Sequence, residues 1–255
     1  MPTRWTLRKL VLWAQETLQI SCCRETIRRV LHQVGLSWKK AKKLLARGDP
    51  QKRQAFVEKL QSLVEQASEE GELLVFWDEA HIEQDVQLGY GWSVCGKKLY
   101  VSSMSSGPWN RVSLFGLYIY NESRVMLFPY ATANGLNARD VLHKLRQQYP
   151  KRKIRVVWDG ASYHRSIAVK EAALYEEIIL EPMSPYSPDL QPVEALWKWL
   201  REEVKYLKTY LVMSDMLKEI ETFAEGINQS PYQIADRLVV KLRLDPEEEK
   251  LLISS

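Results

Sequence analysis

The spacing of apolar and polar residues changes period near Gly71. Before that point it is helical. In "WTLRKLVLWAQETLQ", Leu7, Leu10, Val11, Ala14 and Leu18 recur every three or four positions, which predicts an amphipathic helix over residues 5–19. A second helix follows in "CCRETIRRVLHQVG". It carries Ile27, Val30, Leu31 and Val34 on one face and Arg24, Arg28 and Arg29 elsewhere, and Gly35 is placed to end it. A third is expected from Gln51 to about Ser68. Two short helices with a tight connection, the second bearing arginines, fit the last two helices of a helix-turn-helix unit, although any helical hairpin shares the pattern.

Beyond Gly71 the texture is that of strands. "ELLVFWDEA", "YGWSVCGKKLYVSS", "RVSLFGLYIY" and "RVMLFPYA" alternate or run apolar and predict a meander. "NARDVLHKLRQQY" then reads as a helix, "KIRVVWDG" as a buried strand, residues 167–175 as a helix and "EIILE" as a last strand. A long helix is expected from Pro192 onward. Hairpins first, then strands alternating with helices, predict an α/β fold whose mixed sheet is covered by helices. The expected division is an all-helical region with a basic connector over residues 1–48 and a larger domain over 49–255.

Composition narrows the function classes. With 255 residues, 45% of them hydrophobic, the chain can bury a sizeable core. No window approaches the roughly 20 apolar residues of a membrane span, so a cytoplasmic location is the expected default. Cys22, Cys23 and Cys95 offer neither a disulfide framework nor a zinc spacing, and are expected to be small buried hydrophobes with free thiols.

Charge is distributed unevenly. Lys and Arg outnumber Asp and Glu 13 to 3 in residues 1–55, whereas acids outnumber bases 29 to 23 in the rest. A basic arm on a mildly acidic body suits contact with a polyanion, because clustered cations release counterions from phosphate. Lys39, Lys40, Lys42 and Lys43 of the connector join Arg24, Arg28 and Arg29 as candidate DNA contacts.

The candidate chemistry lies at two strand ends. "LLVFWD" and "IRVVWD" both close on Trp-Asp, at Asp78 and Asp159. Carboxyl ends of strands are where ligands gather in sheets of this type. If the two strands are parallel neighbours, their aspartates are adjacent, and like charges that close call for a cation such as Mg²⁺ or Mn²⁺. Four prolines between Pro182 and Pro192 stiffen the approach to the last helix, with Pro192 suited to its first position and Asp189 or Gln191 near the cap. Glu194, in that helix's first turn, would complete a three-carboxylate site for two ions.

These residues resemble the DDE transposases of bacterial insertion sequences in the mariner superfamily. The resemblance rests on "WDEA" at Asp78, "YGWSVCG", "VVWDGASYH" at Asp159 and "SPYSPDLQPVEALWKWLR" at Glu194, with 34 residues between Asp159 and Glu194 and Trp197 three beyond the glutamate. It implies an RNase H-like catalytic domain behind a helix-turn-helix region. Asp78, Asp159 and Glu194 would be metal ligands, acting in dimers on double-stranded DNA at terminal inverted repeats. Cleavage would be followed by transfer of the freed 3′-hydroxyl into target DNA, commonly at a TA step. His164 and Glu79 are candidate groups around the ligands, and His81 a weaker one. Trp92 and Trp109 are candidates to stack on bases, and Arg111, Lys151, Arg152 and Lys153 to meet strand backbone. Two departures stand out: Gly160 replaces the usual Asn, and the relatives' longer N-terminal region is expected to be missing, which leaves open a partner polypeptide that supplies it. The rival readings are an RNase H-like nuclease without strand transfer and an inactive DNA-binding remnant.

Overall fold

A computed structural model describes residues 5–38, 49–69, 71–104, 110–159, 167–185 and 187–245. The chain separates into two compact units, Met1–Lys43 and Leu44–Ser255.

The first unit holds α1 (Leu7–Leu18) and α2 (Arg24–Gln33). Thr6 caps α1 by accepting the Lys9 N–H at 3.3 Å. Gly35 ends α2 at φ +78°, a left-handed conformation that costs a glycine little. There the Leu36 N–H bonds to the Leu31 carbonyl at 2.8 Å and the Gly35 N–H to that of His32 at 3.0 Å, so the last carbonyls are satisfied. Cys23 is exposed and Cys22 only partly covered, and in the second unit Cys95 is exposed. This corrects the expectation of buried cysteines: both sites lie where too little apolar mass packs to cover them.

The second unit is built on a five-stranded sheet of order β3-β2-β1-β4-β5. Its strands are β1 (Leu73–Glu83), β2 (Arg111–Ile119), β3 (Arg124–Tyr130), β4 (Ile154–Trp158) and β5 (Ile178–Pro182). The first three form an antiparallel meander, and β4 and β5 run parallel to β1. Because side chains alternate along a strand, β1 feeds two cores. Leu73, Val75 and Trp77 pack under α4 (Gly135–Gln148) and α5 (Ile167–Tyr175). Leu74, Phe76, Ala80 and Ile82 face the opposite layer of α3 (Pro50–Glu69), α6 (Val193–Leu200), α7 (Met213–Asn228) and α8 (Pro231–Arg237).

Two expected elements differ. The predicted strand over "YGWSVCGKKLYVSS" forms no ladder. Both sides of β1 are already occupied, by β2 and β4, so the segment that follows it cannot pair back onto β1. It loops out around a turn closed by the Lys97 N–H to the Val94 carbonyl at 2.9 Å, and its base is tied down by the Leu207 N–H to Gln87 and the Tyr210 N–H to Gln84. The long helix expected from Pro192 is also interrupted. After Leu200 the chain makes a π-helical turn over Arg201–Lys205 and then turns extended. Lys205 is 2% exposed and points inward, donating to the carbonyls of Asp85 at 2.9 Å and Gln84 at 3.2 Å.

The proline-rich approach to α6 is held from both sides. Arg53 of α3, also 2% exposed, makes a two-pronged pair with Asp189 at 2.9 and 3.1 Å and donates to Ser187 at 3.1 Å. Asp189 is thus committed to Arg53 rather than to the helix cap, and the cap position falls on Pro192. Arg53→Ala would leave that mostly covered carboxylate with only the looser Lys241 ammonium at 3.9 Å, and should lower stability by about 1–3 kcal/mol. Urea denaturation checks this as a fall in midpoint at unchanged slope.

Candidate active site

The register of β1 against β4 sets the site. Trp77 lies opposite Trp158 in a parallel pair, their rings 6.0 Å apart between centroids. The next residues are Asp78 and Asp159. Asp78 follows the parity of Leu74 and Phe76, and Asp159 that of Val157, so both fall on the sheet face that carries α6.

Above that face, α6 presents Glu194 in its first turn. Its start is fastened to the same strand end, since the Gln191 side chain donates to the Trp77 carbonyl at 2.8 Å. One turn further on, Trp197 lies buried across the sheet and donates its indole N–H to Asp78 Oδ2 at 2.9 Å. The indole fits because β2 has no side chain beneath it. Gly116 pairs with Asp78, and a Cβ there would stand 2.5 Å from the Trp197 ring.

The three carboxylates feel one another. Asp78 is pushed up to about 7, first by burial and then by the charge of Glu194, with the Trp197 hydrogen bond opposing and Glu79 and Asp159 adding smaller increments. Glu194 is also raised, by burial and by Asp159, while Arg201 draws it down. Among the described residues no three acidic, histidine or cysteine groups stand at the spacing of a closed metal site. The donor chemistry nevertheless suits a hard divalent cation: three carboxylates share one sheet face and one helix start, and their mutual repulsion is what such an ion relieves.

Glu79 is partly covered beside this site, and His81 Nδ1 lies 3.0 Å from Ser113 Oγ. Trp92 is fully exposed on the long loop, and Lys153 is paired with Glu72 at 2.9 Å. Arg24 and Arg29 are exposed on α2, whereas Arg28 is engaged with Glu25 at 2.6 and 2.9 Å. Lys39, Lys40, Lys42, Lys43, Trp109 and His164 lie outside the described residues, as does Gly160. The hydrogen bond of Trp197 and the space left by Gly116 were not anticipated from sequence, although a glycine inside the apolar run "RVSLFGLYIY" is the usual mark of a close approach.

Comparison with known proteins places these observations. The model of the DDE superfamily endonuclease family matches residues 73–216, and that of a winged helix-turn helix matches residues 1–60. The chain is 24% identical over 234 residues to the insertion element IS630 uncharacterized 39 kDa protein of Shigella sonnei. That alignment covers 90% of this chain and 66% of the relative. Among solved structures, a pre-cleavage Mos1 transpososome superposes with a TM-score of 0.64 at 15% identity, and the mariner Mos1 paired end complex with Mg with 0.65 at 17%. Both cover 100% of this chain and 79% of theirs. At that identity the likeness speaks for the fold, which is the RNase H-like mixed sheet expected from the sequence, with a winged helix-turn-helix region before it.

Two outcomes test the geometry. Gly116→Ala forces the Trp197 ring off the sheet and should cost about 1–3 kcal/mol. The accompanying change in tryptophan fluorescence reports the lost hydrogen bond, and an unshifted spectrum with native stability would contradict it. Asp78 binds its proton more tightly in the folded chain than the 3.8 of an ordinary aspartate. Without divalent cation, stability should therefore decline as pH rises from about 4 to about 7. Asp78→Asn keeps an acceptor for Trp197 but removes the charge. It should raise stability at pH 7.5 by about 1–3 kcal/mol and do little at pH 4, as thermal melts at the two pH values would read.

Proposed function

The chain belongs to the DDE superfamily of endonucleases, and on that premise we propose that it is the transposase of an insertion sequence, with Asp78, Asp159 and Glu194 as its catalytic carboxylates. One observation carries the assignment. The parallel register of β1 and β4 sets two aspartates side by side under the helix start that bears the glutamate, and burial and mutual charge raise both Asp78 and Glu194. A fold of this size has little reason to crowd acids at a strand end unless cations gather there.

The three carboxylates would hold two Mg²⁺ or Mn²⁺ ions, which when bound act as Lewis acids in phosphoryl displacement. Two of the related Mos1 structures are paired-end complexes with Mg and with Mn. The chain's own residues supply position. Trp197 fixes one oxygen of Asp78, Gln191 ties the glutamate's helix to the Trp77 carbonyl, and Arg53 braces the loop before it. Rigid support of this kind keeps charged ligands from relaxing apart.

The substrate under this reading is double-stranded DNA at the element's terminal inverted repeats, cut by hydrolysis and then joined to target DNA through the freed 3′-hydroxyl. The winged helix-turn-helix region, with Arg24 and Arg29 exposed on α2, would read the repeat, and two copies would act together on paired ends. The match to a DNA-binding region favours a transposase over a nuclease that needs no sequence recognition.

Nicking of a duplex carrying the DNA that flanks the gene is the direct test. Wild-type protein should cut in Mg²⁺ and stop when EDTA is added. Asp159→Ala should lose at least about a thousandfold in rate, on the scale of removing a group that acts in the transition state. Equal cutting by the two proteins would remove the carboxylate assignment, and cutting without joining would leave a nuclease.

A further inference from the structure

Gln191 stands among the three segments that carry the carboxylates. Its side-chain NH₂ donates at 2.8 Å to the Trp77 carbonyl, the peptide that leads into Asp78. The same nitrogen lies 3.5 Å from Met183 Sδ, and the Met183 N–H bonds at 2.8 Å to the Trp158 carbonyl, the peptide that leads into Asp159. On the backbone, the Gln191 carbonyl accepts the Glu194 N–H at 3.2 Å. The amide therefore lies where the ends of β1 and β4 meet the start of α6.

One atom of that amide is left over. Gln191 is 5% exposed, and its Oε1 is buried with no hydrogen-bond donor. Its orientation is settled by chemistry, because the Trp77 carbonyl can only accept and so must face the NH₂ end. Oε1 follows about 2.3 Å away across the amide plane, which keeps it within about 5 Å of the same carbonyl. A buried oxygen without a donor is costly. The neighbours cannot complete it: ionised Asp78, Asp159 and Glu194 only accept, Met183 has no polar hydrogen, and the Trp197 N–H is already given to Asp78. Bulk water does not reach it either. The missing donor must enter with whatever the carboxylates take in, and a divalent ion held by oxygen ligands retains waters whose polarised hydrogens need acceptors.

We infer that Gln191 is a positioning residue for the cations: its Oε1 accepts a hydrogen bond from a water in the hydration shell of the ion held by Asp78 and Asp159, while its NH₂ stays on the Trp77 carbonyl. A neutral oxygen suits this place. It orients the water without adding a fourth negative charge to a cluster that already repels itself. The inference rests on the carboxylate assignment made above and adds the residue that ties the ion's water to the strand ends.

The test uses Mn²⁺ as the probe, with full-length protein and no DNA, and reads binding from the EPR signal of the free ion. Gln191→Met keeps the length of the side chain and loses both polar ends. It should weaken Mn²⁺ about ten- to a hundredfold, the usual cost of losing a group that holds a metal's ligands or waters. A side chain that merely braced the loop would also weaken binding when cut, so a second readout is needed. Wild type labelled with ¹³C at the glutamine side-chain carbonyl should show by ENDOR a coupling to bound Mn²⁺ of the size expected one water away from the ion, and Gln191→Met with its site filled should lack it. If Gln191→Met binds Mn²⁺ as tightly as wild type, or if loaded wild type shows no such coupling, the water contact does not exist. Asp159→Ala, titrated alongside, separates the two ideas: undiminished Mn²⁺ affinity there would sink the carboxylate site itself, whereas its loss beside an unaffected Gln191→Met sinks only the role of Gln191.

Discussion

The pairing of β1 with β4 governs the rest of this structure. A parallel ladder between two strands far apart in sequence brings Trp77 against Trp158, and every later relation at the candidate site follows from that register. A slip of one residue would send either aspartate to the opposite face, under α4 and α5, where only apolar partners wait. The paired tryptophans are therefore more than filler. Two large rings buried at matching positions make the correct register the best packed one, and so place the acids that follow them.

Against that frame α6 is positioned by polar contacts, not only by its apolar side. Gln191 reaches the Trp77 carbonyl, Trp197 reaches Asp78, and Arg53 holds Asp189 in the loop before the helix. The first two are buried and the third partly so, and each would be expensive if left unpaired. The carboxylate cluster itself works against stability, as the raised Asp78 and Glu194 indicate. The surrounding hydrogen bonds and packed indole offset that cost.

Much of this was legible in advance. Alternating or continuous apolar runs marked all five strands, the repeated Trp-Asp endings marked two acids that follow neighbouring parallel strands, and the serine-proline stretch before Glu194 marked a braced helix start. Three features were not. The segment "YGWSVCGKKLYVSS" alternates like a strand, but alternation reports only an amphipathic extended chain, and a hairpin back onto β1 is closed because β2 and β4 already flank it. The helix from Pro192 is apolar enough to continue, yet Lys205 finds two carbonyl acceptors in the loop after β1, a long-range contact invisible to local spacing. Asp189 reads as a cap and serves Arg53 instead, because an arginine more than a hundred residues away outcompetes the backbone N–H groups beside it.

The sequence by itself determined the identity of most of the elements and the kinds of groups at the strand ends, because helix and strand periods and turn chemistry are local properties. What only the tertiary structure decided is which side chains meet: the indole on Asp78, the space at Gly116 that admits it, and the Gln191 amide on the Trp77 carbonyl. Those depend on the register of a parallel ladder and on the rotation of one helix over it. Both are set by the packing of the whole core, so no short stretch of chain encodes either alone.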